Sequence, residues 1–352
     1  MRIKTILRII KEIKYLKSVL KCYGDSLEKG KYHLFNSFRA MSIDRDESRK
    51  TAFEYFNRKS VNPRMANVAD KLNSIKFFRN KRRNSTEEYE AIYIANNYDA
   101  KREVKLFSFK NEKIMTICTD SKVAEGQMSQ YEKYKDSYNM PEVCLSSRYP
   151  DSFEIAMVKL MPFSGDLEAL TEIVCSVTDY NKSVQSLSKA SVSDLLSFSY
   201  ENSDINAWLE KLTVKVDETL HNTEIPLCLQ HGDLSKDNLI YGRCKDKVGF
   251  WWIDWEHARD RVFFYDYFFY IINSALYDDF GAYNTYISGK HDAVLQKWFE
   301  HFGLNFSDKN RFDYFLIFAV DFLKERVCDN GNLTALKKYF ELIERLQSDC
   351  EV

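Results

Sequence analysis

The sequence predicts an α+β fold of two lobes, a small strand-rich lobe followed by a larger, mostly helical one. Three observations predict it. Between residues 88 and 162, apolar residues gather in short runs separated by polar turns. From residue 163 onward their spacing is mainly helical. One segment of the second lobe departs from that spacing: residues 226–256, PLCLQHGDLSKDNLIYGRCKDKVGFWWIDWE, read as strands around a polar loop. A chain of 352 residues is long enough for two substantial cores, and 45% hydrophobic with 15% aromatic residues exclude a disordered protein. The expected division is 1–45, a basic helix and linker; 46–162, the strand-rich lobe with a helical lead-in; and 163–352, the helical lobe.

Taken in order, residues 1–23 place Ile3, Ile6, Leu7, Ile10, Ile13, Leu16 and Leu20 at helical spacing, with seven basic residues and the single acid Glu12 between them. Such a helix either lies on an anionic membrane surface, its lysine stems reaching toward headgroups, or packs its apolar stripe on the body of the protein. Gly24 and Gly30 end it. Residues 47–56 and 66–78 have helical patterning with Asn62-Pro63 as a breaker, and the rest of 31–83 shows no clear period. Residues 79–83, RNKRR, read as a solvated loop or a phosphate contact. Residues 91–95, 104–109 and 113–119 then read as strands, 122–135 as a helix and 153–161 as a fourth strand. In the second lobe 166–175 and 192–220 read as interrupted helices, and 293–302, 311–327 and 333–346 as further helices.

The formal charge of −1 gives no electrostatic case for nucleic acid. Eight cysteines stand singly, with no zinc spacing, which fits a reduced, cytoplasmic chain. No apolar run reaches the ~18 residues that span a bilayer, so the expected location is cytoplasmic, either free or peripheral on the inner face of the membrane.

The chemistry concentrates in 226–256. Strands there bring Asp233, Asn238 and Asp254 to loop ends, and three oxygen-bearing side chains so placed suit phosphoryl transfer. A hard cation on nucleotide phosphates prefers oxygen ligands, and an attacking hydroxyl needs a carboxylate to orient it and take its proton. The pattern His231-Gly232-Asp233 with Asn238, followed by Ile253-Asp254-Trp255-Glu256, resembles the catalytic loop and metal segment of the aminoglycoside phosphotransferase and choline kinase superfamily, relatives of the protein kinases. The resemblance implies a two-lobed protein-kinase-like fold, with ATP or GTP and Mg2+ held between the lobes. Asp233 matches the catalytic base, Asn238 and Asp254 the metal ligands, and His231 the residue that braces the loop. Asp266 matches an aspartate that steadies the loop from the following helix, and is equally a favourable helix N-terminal acid. Glu256 reads as outer support for the metal or as a cap. Ser235 stands where protein kinases carry a lysine, which favours a small-molecule kinase, and Lys236 beside it is either a phosphate contact or a solvated lysine.

Two departures stand out. The loop 96–103 contains no glycine, although backbone N–H groups approach phosphates most readily there. The third strand has no interior lysine; Lys113 and Lys122 flank it, with Glu125 or Glu132 as helix partner, so either a flanking lysine such as Lys122 with Glu125 is the phosphate ligand, or the nucleotide is held differently, or activity is impaired. The expected function is transfer of a γ-phosphate to a hydroxyl of a sugar or cell-surface glycan, a bacterial branch of this superfamily. An aminoglycoside- or choline-type acceptor and a pseudokinase that binds without transfer are the rivals. For a cationic acceptor Asp278, Asp279 and Asp292 are the available acids. For a sugar, the aromatics of 263–270 offer a wall, although aromatics at such spacing are more often core.

Overall fold

The computed structural model describes residues 3–35, 38–56, 63–74, 78–81, 89–95, 103–136, 138–146, 148–163, 187–330 and 333–348. It divides into two compact units, Met1–Pro162 with Ile240–Glu256, and Phe163–Leu239 with His257–Val352.

The first unit is built on an antiparallel sheet of eight strands among the described residues. They are β1 (Gly30–Leu34), β2 (Ala40–Ile43), β3 (Phe78–Asn80), β4 (Ala91–Ile94), β5 (Val104–Ser108), β6 (Lys113–Ile117), β7 (Val143–Leu145) and β8 (Ser152–Ala156), in the order β3-β1-β2-β4-β5-β6-β8-β7. Strands β4, β5, β6 and β8 and helix α4 (Ser121–Tyr134) follow the expected succession of strands and helix, and β7 between α4 and β8 is an addition to it. Strands β1 to β3 are new, because strands of three to five residues carrying Lys31, His33, Ser42 and Arg79 leave too little alternation to read, and Phe78–Asn80, expected as the end of a helix and the start of a loop, form β3.

The two faces of the sheet are used differently, as the period of two requires. Val104 and Leu106 of β5, with Met115 and Ile117 of β6, are buried in one core with Leu16, Val19 and Leu20 of helix α1 (Ile3–Cys22) and Ala69 of α3 (Pro63–Ser74). The N-terminal helix therefore packs its stripe on the sheet, and its one acid, Glu12, is buried 3.8 Å from Arg39. The opposite face carries Lys105 and Phe107. It is covered by helix α2 (Asp46–Phe56), whose Ala52 and Phe56 meet Ala40 and Tyr93, and by α4, whose Tyr131 ring lies 6.4 Å from Phe153. Asp120 caps α4 by accepting the Val123 N–H at 3.0 Å.

A small sheet completes this unit, with β9 (Lys159–Leu160) beside the hairpin β12 (Leu239–Cys244) and β13 (Lys247–Trp252). Val158, Ile240, Cys244 and Trp251 form its core. The predicted strand 153–161 is thus two, β8 and β9.

The second unit has a three-stranded sheet, β10 (Lys189–Ser191), β11 (Glu224–Gln230) and β14 (Arg259–Val262), in the order β10-β11-β14. Its helices among the described residues are α5 (Val192–Leu196), α6 (Ser203–Thr213), α7 (Tyr265–Leu276), α8 (Gly281–Ile287), α9 (Asp292–His301), α10 (Arg311–Asn330) and α11 (Leu333–Ser348). The expected helix at 166–175 lies outside the described residues. The aromatic side chains of 263–270 are all buried and pack on one another and on Trp298, Phe299 and Phe318. They are core and form no sugar-binding wall, because a helix flanked by other helices buries every side that carries a ring.

Candidate active site

In the second unit, β11 ends at Gln230 and hands the chain to a loop fixed from below. Asp266, buried in the first turn of α7, accepts the His231 N–H at 2.6 Å with one carboxylate oxygen and the Gly232 N–H at 2.8 Å with the other. Gln230 Oε1 accepts the Asp266 N–H at 3.0 Å, which closes the tie. Burial pushes the Asp266 carboxyl up to about 6 against the opposing pull of those amides and of Arg261. His231 is buried and its Nδ1 accepts the Asp233 N–H at 3.3 Å, so the ring acts as a brace. Gly232 sits at φ +81°, and a Cβ there would stand 2.5 Å from both the His257 carbonyl and an Arg261 nitrogen. That guanidinium is itself fixed, donating to the His257 carbonyl at 2.8 Å and pairing with Glu325.

Asp233 is only partly buried at the top of this loop. The Asn238 amide donates to the Asp233 carbonyl at 2.7 Å and to its carboxylate at 3.1 Å. Asn238 thereby sets the orientation of Asp233 and keeps its own amide oxygen as a donor for a cation. Lys236 pairs with Asp279 and holds that carboxyl below its ordinary range.

In the first unit, β13 delivers Asp254. Its backbone is left-handed at φ +70°, an uncommon conformation for a residue with a side chain. The neighbours hold it there. The Asp254 N–H donates to the Tyr131 hydroxyl at 3.1 Å, and Trp255 is buried against Tyr134 and Tyr138, with centroids 5.5 and 4.5 Å apart.

Facing Asp254 is a residue that the motif did not announce. Lys105 lies 3.8 Å from the Asp254 carboxylate and 3.2 Å from Glu103. Burial alone would lower its pKa, but the two carboxylates outweigh that and hold the ammonium well above its ordinary value. Lys105 is on β5, directly opposite Thr116 of β6. Opposed residues of an antiparallel pair project to the same face with Cβ atoms about 5 Å apart, so a lysine on β5 reaches the space that one at 116 would reach.

Lys122 and Glu125 are both exposed on α4. From that helix it is Gln127 that reaches Glu103 at 3.3 Å and Glu256 at 3.2 Å. The sequence did hold a signal for Lys105, a single lysine inside the apolar strand Val104-Lys105-Leu106-Phe107, two residues after the buried Glu103. An interior strand lysine needs a carboxylate partner or a ligand.

Asp254 in the first unit and Asn238 in the second each carry an oxygen donor of the kind a hard divalent cation takes. No cluster of three or more His, Cys, Asp or Glu that could hold a metal occurs among the described residues. Mg2+ is usually held by one or two carboxylates together with substrate phosphates, and the Asp254 carboxylate is a donor of that type.

No protein-family model and no curated protein matches the sequence. Among solved structures the chain is similar to choline kinase LicA from Streptococcus pneumoniae, at 10% identity over 82% of this chain and 100% of that one, with a TM-score of 0.45. It is also similar to macrolide 2'-phosphotransferase MphH from Brachybacterium faecium, at 10% identity over 72% and 91%, with a TM-score of 0.43. A third is amicoumacin kinase hAmiN in complex with AMP-PNP and Ca2+, at 15% identity over 73% and 87%, with a TM-score of 0.42.

Proposed function

We propose that the protein is a small-molecule kinase that transfers the γ-phosphate of a nucleoside triphosphate to an alcohol. The observation that carries the reading is Lys105 set between Asp254 and Glu103, which supplies the phosphate-binding cation that the third strand lacks. Asp233 orients the acceptor hydroxyl and takes its proton as the oxygen attacks the γ-phosphorus. The bond from that phosphorus to the bridging oxygen breaks, and the nucleoside diphosphate leaves. Lys105 offsets charge on the phosphates, while Asp254 and Asn238 would hold the divalent cation. When bound, that cation supplies further charge neutralisation at the phosphate oxygens. Lys122, Lys236 and Glu125 are secondary in this reading. Glu256 supports from beside Gln127.

A neutral polyhydroxyl acceptor, a sugar or glycan, is favoured over a polycation. Two of the three acids available to a cationic acceptor are already paired within the protein, Asp279 with Lys236 and Asp292 with Arg311 at 2.5 Å. The decisive test is a thermal-shift titration with ATP and GTP, with and without Mg2+, on the wild type, Asp254→Ala and Lys105→Ala. A Mg2+-dependent rise in Tm in the wild type, lost in both variants, is expected, followed by phosphorylation of sugars that Asp233→Asn abolishes. Absence of any nucleotide shift would favour the pseudokinase.

The N-terminal helix adds a peripheral contact with anionic membrane in this reading. Leu7 and Ile10 are 61% and 44% exposed beside exposed Lys11 and Lys14. The protein is expected to sediment with anionic vesicles, and Lys11→Glu with Lys14→Glu to release it. Equal sedimentation of that double variant would dismiss the contact.

A further inference from the structure

On the face of the first unit's sheet that carries Lys105, the next residue of β5 to project is Phe107, about 7 Å along the strand. That is within the length of one nucleoside diphosphate. Around Phe107 lies an aromatic slot, and the end of α2 fills it. The Phe56 ring meets Phe107 at 5.1 Å and stacks on Tyr93 at 5.7 Å and 12°. The Tyr55 ring lies 5.9 Å from Phe107 and stacks on Phe109 at 6.3 Å and 25°. Ala91, Ile114 and Met157 pack into the same cluster. The Tyr55 hydroxyl donates to the carbonyl of Val158, which stands between β8 and β9 and belongs to neither ladder.

A flat ring held among aromatic and aliphatic side chains, with a donor at its edge on a backbone carbonyl, has the shape and polarity of a bound adenine. An exocyclic amine would take the place of the tyrosine hydroxyl. Guanine in the same orientation would set its 6-oxo acceptor against the Val158 carbonyl. We infer that Tyr55 and Phe56 occupy the base subsite of the nucleotide, so that α2 is a built-in competitor that an adenine nucleotide must displace. This rests on the phosphotransferase reading, which places the triphosphate at Lys105. It carries that reading to a preference, ATP over GTP, and to a self-occluded resting state.

A competitor that fills a subsite nine-tenths of the time weakens apparent affinity about tenfold. Tyr55→Ala is therefore expected to bind ATP with Mg2+ about tenfold more tightly than the wild type. Its affinity for inorganic tripolyphosphate with Mg2+, which has no base, should not change. Hydrogen exchange on the wild type gives a second readout that needs no variant. The amides of residues 46–56 should exchange faster with ATP and Mg2+ but not with tripolyphosphate and Mg2+. Slowed or unaltered exchange there on ATP binding, or ATP affinity in Tyr55→Ala no tighter than in the wild type, would overturn the inference. If tripolyphosphate still binds and Lys105→Ala abolishes that binding, the phosphotransferase reading survives such a result. If neither ATP nor tripolyphosphate binds, both fail together.

Discussion

At the scale of single residues, the loop that carries Asp233 depends on a carboxylate buried beneath it, that of Asp266. Asp266 holds two consecutive amides only while ionised, because a protonated oxygen gives up one acceptor position. Its folded pKa is raised to about 6, chiefly by burial. Phosphotransfer is therefore expected to rise with pH through an inflection near 6. Stability moves the other way: a group whose folded pKa is raised contributes fully below its unfolded value, and that contribution is lost as pH climbs toward 6. Asp266→Asn should remove both dependences, at a cost of about 2 kcal/mol for the amide left facing an NH2. Tm and rate recorded between pH 4 and 8 for both proteins check this. An unaltered Tm profile in the variant would show that another group titrates. The positions of Asp233, Asn238, Asp254 and Asp266 beside turns and strand or helix ends were legible in the sequence. For Lys105 the sequence showed a lone lysine in an apolar strand but not what it faces. That depends on register across the β5–β6 ladder, where it stands opposite Thr116, and spacing along one strand carries no information about the strand beside it.

Among the elements, the clearest period belongs to α1, and of its two expected uses packing on the protein is the one its burial shows. Leu16 is fully buried and Val19 is 3% exposed, so packing on the sheet holds whether or not the helix also touches a membrane. The same burial makes truncation a poor probe of membrane contact, since removing α1 would strip the sheet of its cover. Deleting Leu16 atoms alone is worth about 3 kcal/mol. The elements between 31 and 83 were obscure for a different reason. Tyr32 and Leu34 of β1 are buried, but Lys31 and His33, which alternate with them, are only partly exposed, and a five-residue strand gives two repeats at most. The place of α2 on the Lys105 face was equally hidden, because Ala52, Tyr55 and Phe56 show a buried side without naming what it is buried against.

For the whole molecule, each unit has its own core, aliphatic with α1 in the first and heavily aromatic around α7 and α10 in the second. Units with separate cores can unfold separately. Calorimetry is expected to resolve two transitions, and Mg2+ with ATP to raise the one that Lys105→Ala leaves unshifted. A single transition would mean that the cores melt together. The division also has a consequence for synthesis. The first unit is not continuous, since Ile240–Glu256 returns to it after 77 residues that belong to the second, Phe163–Leu239. At about 5–20 residues per second, a ribosome that has finished residue 162 needs several seconds more before Ile240, Trp251 and Trp255 emerge. Until then Val158 lacks its core partners and Lys105 its facing carboxylate at 254. The nascent first unit must wait, incomplete and exposed, for its last two strands, and a gene fragment ending at residue 162 would encode a sheet without them.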